Sequence, residues 1–199
     1  MTVLLPTAFA VLLFHRSDKK RHTVSRRHTV LLLLFSVYLF GVFHCTGSGT
    51  LYDVLRLGPG IRTDEIHLIP FFGTGIDYMG YALNIVLFVP LGLLLPLIGA
   101  GYKKYRCVLL TGFSLSLLVE ISQLLNFRRT DVDDLILNSA GAVLGLLLYK
   151  GIAPMIKRAD APAAPADHQA IILILTAFLC RFLAFNEFGL AEKLFTVSF

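Results

Sequence analysis

Long apolar runs, separated by short polar connections, repeat along most of this 199-residue chain. Most of these runs approach the roughly 20 residues that a helix needs to cross a lipid bilayer. The pattern therefore predicts an all-α, polytopic membrane helix bundle with about six transmembrane spans, of which the first is short. The predicted spans are residues 2–14, 29–46, 81–101, 107–125, 135–149 and 169–185.

The first run is clearly short for a span, and Pro6 weakens its start. Such a run can cross a locally thinned bilayer or lie partly in the interface. A secretory signal peptide is the rival interpretation. Its basic residues would precede the apolar run, however, whereas the basic cluster here follows it. We therefore count residues 2–14 as the first span.

The composition is typical of a membrane protein, and the distribution of its basic residues predicts the orientation in the membrane. The chain is 56% hydrophobic with a mean hydropathy of +0.73, which argues against a soluble globular domain. Its pI of about 9.2 does not indicate nucleic-acid binding, because the basic residues gather in three connections between spans. Lys and Arg mark the cytoplasmic side of short loops, so we predict that the N-terminus, the 47–80 loop and the C-terminus lie outside. These basic residues are Arg16, Lys19, Lys20, Arg21, Arg26, Arg27, Lys103, Lys104, Arg106, Lys150, Lys157 and Arg158.

The chain divides into four parts. Residues 1–28 hold the N-terminal span and a basic cytoplasmic loop, and residues 29–150 form the main membrane domain. Residues 151–168 include a Pro- and Ala-rich cytoplasmic linker. Residues 169–199 form a C-terminal span and tail, which we treat as an appendage of the membrane domain.

The cysteines do not suggest redox or metal chemistry. Cys45, Cys107 and Cys180 are odd in number, lack CxxC spacing and belong to different apolar runs. We expect them to be small buried hydrophobic residues. The acids near Asp131 offer oxygen ligands for a divalent cation, but without any known loop spacing. No metal and no other cofactor is predicted.

Ionisable and amide side chains within spans are costly, and they raise a functional hypothesis by default. Asn84, Glu120, Asn138 and Arg181 are the prominent cases, and each falls in the outer half of its predicted span. This one-sided distribution predicts a polar depression that opens to the outer face. Arg181 alone is more typical of a side chain that extends to the lipid headgroups.

Glu120 is the sharpest candidate. It shares one helical face with Ser116 and Gln123, so that face should look into the bundle. Two interpretations stay open. Glu120 either takes part in function, or it is a carboxyl that is protonated or paired with Arg128 or Arg181 and holds helices together.

The stretch NFRRTDVDDLILNSAGAVLG, residues 126–145, concentrates charge at the start of a span. Thr130 and Asp133 have capping-box spacing, although Glu or Gln usually takes the second position. Acids also favour the positive end of the helix dipole. Capping needs only one or two of these groups, and it does not explain Arg128 and Arg129 immediately upstream.

Farther along the same span, Asp134, Asn138, Gly141 and Gly145 follow one another along a single predicted stripe. The two glycines form a GxxxG motif, which allows close approach of a neighbouring helix. A packing groove therefore explains the glycines but not Asn138 beside them.

Four motifs resemble the VanZ-like family. They are IHLIPF (66–71), NIVLFVPLGLLLPL (84–97), LSLLVEISQLL (115–125) and RRTDVDDLILNSAGAVLG (128–145). The resemblance covers roughly residues 29–150 and combines an Asn-Pro-Gly span, Glu-x-x-Gln and Arg-x-x-Asp-x-x-Asp-x-x-x-Asn.

The resemblance implies a multi-pass protein of the bacterial cytoplasmic membrane. The family's namesake is associated with lowered susceptibility to teicoplanin-type glycopeptide antibiotics. Because the arginine is doubled here, either Arg128 or Arg129 corresponds to the family's arginine. The matching positions are Asn84, Pro90, Gly92, Glu120, Gln123, Arg128 or Arg129, Asp131, Asp134, Asn138 and Gly141.

Two functions fit these residues. In the first, a non-enzymatic protein in contact with membrane lipids binds a lipid-linked cell-wall precursor or a lipoglycopeptide at the outer leaflet. In the second, an intramembrane enzyme acts on such a substrate with Glu120 or Asp134 as general acid or base. A transporter is disfavoured because polar residues do not continue through the inner half of the spans. The candidate ligand-binding residues are Asn84, Glu120, Gln123, Arg128, Arg129, Asp131, Asp134 and Asn138.

Overall fold

The structure is a computed structural model. It describes residues 3–20, 26–51, 54, 66–67, 70–71, 77–125, 130–154 and 167–183. The Pro- and Ala-rich linker and most of the 47–80 loop lie outside these residues, as do Arg128 and Arg129.

The described residues form six α-helices, so the predicted all-α bundle is confirmed. A 3-10 turn, Ala100–Lys103, joins the third and fourth helices, and two short strands pair in parallel, with Ile66 opposite Thr130 and His67 opposite Asp131. The helices are α1 Leu4–Lys20, α2 Arg26–Cys45, α3 Tyr78–Ile98, α4 Tyr105–Leu124, α5 Val132–Ile152 and α6 Asp167–Leu183; the strands are β1 Ile66–His67 and β2 Thr130–Asp131.

Four helices, α2 to α5, are long and apolar enough to cross a membrane. The first and last helices contain shorter apolar stretches, Leu4–Arg16 and His168–Leu183. Helix α3 begins three residues before the predicted span, because Asp77 caps it by accepting a hydrogen bond from the backbone N–H of Gly80 at 3.0 Å.

Helices α3 and α5 form the central pair, and glycines set their separation. A Cβ added to Gly141 or Gly145 would overlap a backbone carbonyl oxygen of α3, that of Ile85 or Val89 respectively. A Cβ on Gly92 would overlap the Ala142 carbonyl oxygen in return. The GxxxG motif therefore brings two backbones into direct contact, and its partner is α3.

The remaining helices flank this pair. Helix α4 packs on α5, where a Cβ on Gly112 would approach the Ala142 Cβ to 2.8 Å. Helices α1, α2 and α6 pack on one another, and α2 also contacts α3, where the Tyr38 hydroxyl donates to the Leu87 carbonyl at 3.1 Å.

Charge separates between the two ends of the bundle. The exposed basic residues Lys103, Lys104, Arg106 and Lys150 lie where α4 begins and α5 ends, which we call the basic end. The acids described below lie where α2 and α4 end and α3 and α5 begin, which we call the cleft end.

All three cysteines are free thiols, but the expectation that they are buried is wrong. Cys107 and Cys180 are half-buried, and Cys45 is exposed at the end of α2. The physical reason for the difference at Cys45 is that α2 and α3 leave a gap at the cleft end.

Candidate functional site

A cleft of about 610 Å³ lies at the cleft end of the bundle. Its walls come from the end of α2, the first turns of α3 and the start of α5. The described lining residues are Cys45, Thr46, Asp77, Gly80, Tyr81, Leu83, Asn84, Val86, Leu87, Asp131 and Asp134.

The N-cap of α5 is Asp131, one residue after Thr130, the N-cap that the capping-box spacing predicted. Asp131 has extended backbone angles, and its Oδ1 accepts a hydrogen bond from the N–H of Asp133 at 3.1 Å. Thr130 instead belongs to β2, where pairing with β1 holds the backbone extended until the helix begins at Val132.

Asp133 is a buried anchor, with 4% of its surface exposed. Its Oδ1 accepts a hydrogen bond from the N–H of Phe71 at 2.8 Å, and its Oδ2 accepts from the Tyr81 hydroxyl. The rings of Phe71 and Tyr81 meet edge to face with centroids 5.8 Å apart. Asp133 therefore fastens the segment before α3, and α3 itself, to α5.

Asp134, the next residue, faces the cleft. It is half-buried and lines the cleft, and its Oδ1 accepts a hydrogen bond from the Asn84 amide nitrogen. Asn84 also lines the cleft. Two of the predicted site residues, from α3 and α5, are thus in direct contact on one wall.

Glu120 lies behind this wall, on α4, with 3% of its surface exposed. Its Oε2 accepts a hydrogen bond from the N–H of Asp131 at 3.3 Å. The carboxyl groups of Asp131 and Asp134 are close enough to interact electrostatically with that of Glu120. Three carboxyl groups, from α4, from β2 and from the first turn of α5, therefore lie close together at this end of the α4–α5 seam.

The predicted inward face of α4 does look into the bundle, since Ser116 and Glu120 are buried. Gln123, farther along that face, donates from Nε2 to the Thr46 carbonyl at 2.8 Å. It thereby ties the end of α4 to the residue after α2, which lines the cleft. The Gln123 Oε1 is buried and has no hydrogen-bond partner among the described residues.

Asn138 lies deeper and does not line the cleft. Its Nδ2 donates to the Ser116 hydroxyl on α4 at 2.9 Å. The predicted single stripe of α5 therefore divides, because Asp134, Gly141 and Gly145 face α3 while Asn138 faces α4. Four residues advance a helix by about 40° beyond a full turn, which is enough to change its neighbour.

The structure thus brings Asn84, Asp131 and Asp134 together on the cleft and places Glu120 and Gln123 against its wall. Arg181 is half-buried on α6, a helix that packs mainly on α1 and α2. Within the described ranges, no group of three or more His, Cys, Asp or Glu side chains is arranged to hold a metal ion.

A model of the VanZ/LLP1 family matches residues 2–156. The chain belongs to the VanZ/LLP1 family. No significant match is found among curated proteins or among solved structures. The family match extends from α1 through α5, and so includes the first helix, which precedes the motifs quoted above. With its four long apolar helices, the chain is a VanZ-like membrane protein.

The family motifs map onto two structural tasks in this VanZ/LLP1 chain. Gly92 and Gly141 make the backbone contact between α3 and α5. Asn84, Asp131 and Asp134 line the cleft. Helices α3 and α5 are therefore in close contact at glycines in the middle of the pair and carry polar residues at the cleft end.

Sequence reasoning missed several residues of the site. Cys45, Thr46 and Tyr81 line the cleft without carrying any pattern that distinguishes them from neighbours. Asp77 had a usable signal, because an acid three residues before a glycine at the start of an apolar run is typical of a helix cap. The position of Asp133 was also recognisable from the sequence, because it lies four residues before the apolar Leu137 and therefore on the same, buried face of the helix.

Proposed function

We propose that this VanZ/LLP1-family protein binds an amphiphilic ligand of the bacterial cell envelope in the cleft. The ligand is a lipid-linked cell-wall precursor or a lipoglycopeptide, and its binding lowers susceptibility to teicoplanin-type antibiotics. The observation that carries the proposal is the cleft itself, which is lined by the polar residues Asn84, Asp131 and Asp134 together with apolar residues of α3.

The cleft belongs to the outer leaflet in this proposal. The exposed Lys103, Lys104, Arg106 and Lys150 gather at the basic end, away from the cleft. Because Lys and Arg mark the cytoplasmic side of membrane proteins, the basic end lies inside and the cleft end outside. The protein then sits in the bacterial cytoplasmic membrane with its cleft where cell-wall precursors are exposed to glycopeptides.

The chemistry of the wall suits the polar part of such a ligand. Carboxylates accept hydrogen bonds from hydroxyl, amide and ammonium groups, and bonds to charged acceptors are the stronger ones. The Asn84 amide holds Asp134 in place, and Asp131 is held by its capping bond. Arg128 and Arg129, outside the described residues, are proposed to meet a phosphate or carboxylate of the ligand.

An intramembrane enzyme is the second candidate, and one observation favours it. The Glu120 carboxyl, from a different helix, contacts the backbone of Asp131 and lies near the Asp134 charge. Acid and base pairs of this kind occur at catalytic sites. Binding is the better-supported function, because Glu120 does not line the cleft and has little exposed surface.

Expression in a teicoplanin-sensitive bacterium tests the proposal. The wild-type protein should raise the inhibitory concentration of teicoplanin, and the double variant Asp131→Asn/Asp134→Asn should not. Both changes keep an oxygen for the capping bond and for the contact with Asn84. The matched control is Leu147→Ala on the exposed face of α5. Equal protection by all three proteins at equal membrane abundance would overturn the proposal.

A further inference from the structure

One cation at the basic end of the bundle is held in place by an aromatic ring. Lys150, from the last turn of α5, places its Nζ 3.5 Å from the centroid of the Tyr105 ring, in the first turn of α4. A cation over an aromatic face is attracted by the electrostatic field of the ring. This contact therefore fixes a long side chain across the seam between α4 and α5.

Three further cations lie beside this pair. Lys103 ends the 3-10 turn, Lys104 follows it, and Arg106 belongs to the first turn of α4; all three are exposed. Residues 91–110 and 145–154, which include the ends of α3 and α5 and the start of α4, contain no Asp or Glu. The described part of the α4–α5 side of the basic end thus carries cations and no acid.

The side formed by α1, α2 and α6 is mixed in charge. Asp18 lies near the end of α1 and Asp167 begins α6, whereas Arg16 and Arg26 are exposed on α1 and α2. Opposite charges on one surface reduce its attraction for an anion, because their fields partly cancel. An anionic ligand is therefore expected on the α4–α5 side.

The membrane-facing surface beside these cations is apolar. Leu110 lies one turn after Arg106 on α4, and Leu147 lies one turn before Lys150 on α5. The two leucines are 63% and 48% exposed, and both helices are long and apolar enough to cross a membrane. The α4–α5 side therefore presents cations at the level of lipid head groups and leucines at the level of acyl chains. Basic pockets between membrane helices bind lipid head groups in this way.

We propose that the basic end binds an anionic phospholipid on its α4–α5 side. The phosphate of the head group accepts hydrogen bonds from Lys104, Arg106 and Lys150, and the acyl chains lie along Leu110 and Leu147. This surface lies at the opposite end of the bundle from the cleft, so lipid binding there is independent of the proposed function.

Fluorescence quenching can measure the lipid preference, because the chain contains no tryptophan. Leu110→Trp supplies a single reporter on the exposed surface beside Arg106. The full chain is reconstituted in vesicles of equal parts phosphatidylglycerol, which is anionic, and phosphatidylcholine, which is zwitterionic. In one preparation only phosphatidylglycerol carries brominated acyl chains, which quench tryptophan on contact, and in the other only phosphatidylcholine does. Both leaflets have the same composition, so the result does not depend on the orientation of the protein.

Phosphatidylglycerol should be enriched at this reporter by about fivefold, which is the contribution of one basic residue near an anionic surface. Arg106→Gln/Lys150→Gln should lose most of the enrichment. Arg16→Gln/Arg26→Gln is the matched control, because it removes the same net charge from exposed positions on α1 and α2, and it should keep the enrichment.

Tyr105 distinguishes a fixed cation from a free one. Tyr105→Phe keeps an aromatic face under Lys150 and should keep the enrichment, whereas Tyr105→Leu removes that face and should lower it. Equal enrichment in these two variants would contradict the arrangement of Lys150 on which the site is built.

Two further results would overturn the proposal. Equal quenching by the two brominated lipids at Leu110→Trp would show that the surface does not select an anionic head group. Enrichment that survives Arg106→Gln/Lys150→Gln, or that falls equally in both double variants, would show that it follows from net charge and not from the α4–α5 side.

Discussion

Helix α3 packs closely against one neighbouring helix and leaves a cleft beside another. Against α5 it is in backbone contact, because Gly92, Gly141 and Gly145 leave no room even for a methyl group. Against the end of α2 its first turns stand apart and leave a cleft of about 610 Å³. In a membrane, where lipid is as apolar as leucine, close packing is a main source of helix association. The glycine seam therefore stabilises the bundle, which leaves the residues of the cleft available for the binding that we propose.

The largest expected effect concerns which side of the membrane holds the cleft. In intact cells, an impermeant maleimide should label Cys45, which lines the cleft, because we place the cleft end outside. A thiol introduced at the exposed Lys103, at the basic end, should react only after the membrane is permeabilised. Mass spectrometry of the purified protein reads both positions. Labelling at Lys103 but not at Cys45 would invert the orientation and move the cleft to the cytoplasm.

The next effect separates a helix cap from a binding residue. Asp134→Asn should abolish protection against teicoplanin and leave membrane abundance unchanged, because the cap at Asp131 is intact and an amide keeps the shape of the carboxyl. Glu120→Gln is compared beside it, with ligand binding measured as well as protection. Lost protection with binding intact for Glu120→Gln would favour the enzyme. Full protection by Asp134→Asn would reduce this residue to a structural role.

A third experiment weakens the seam without touching the cleft. Gly141→Ala places a methyl group against the Ile85 carbonyl and should destabilise the detergent-solubilised protein by about 1–3 kcal/mol. Gly41→Ala is the matched control, because a Cβ there meets nothing within 4 Å. Since alanine is the better helix former, this control should be neutral or stabilising by up to about 1 kcal/mol. Thermal unfolding measures both, and equal Tm values would mean that the seam is looser than described.

The smallest effect is expected at Asn138, which the structure places between α4 and α5. Asn138→Ala removes the hydrogen bond to Ser116 and should cost about 0.6 kcal/mol, the average for such bonds between membrane helices. Protection against teicoplanin should fall only as far as abundance falls. A complete loss of protection at normal abundance would place Asn138 in the site after all.

Much of the architecture could be predicted from periodicity alone. The six helices follow from the apolar runs, and the close approach at Gly141 and Gly145 follows from GxxxG spacing. The neighbour of each polar residue could not be predicted in this way. Asp133 and Asp134 are adjacent acids, yet one meets Phe71 and Tyr81 while the other meets Asn84. These partners lie at least 50 residues away, so the difference depends on tertiary packing that no local pattern encodes.

The same limit explains why the surroundings of Asn138 and Cys45 differ from those predicted. Asn138 shares a predicted stripe with Asp134, but a rotation of about 40° turns it toward a different helix. Cys45 belongs to an apolar run and was expected to be buried, but it is exposed because α3 stands apart from the end of α2. Helical spacing describes a face, and only the positions of neighbouring helices decide whether that face is covered.

Lipid-resolved mass spectrometry of the purified protein tests the central claim most directly, since the claim is that the cleft binds an amphiphile of the cell envelope. The wild-type protein should retain a lipid-linked molecule with a sugar or peptide head group through mild detergent extraction. The Asp131→Asn/Asp134→Asn variant, purified in the same way, should be depleted of that molecule and keep its ordinary phospholipids. If both proteins carry only bulk phospholipids in the same proportions, the cleft is not a ligand site and the account is contradicted.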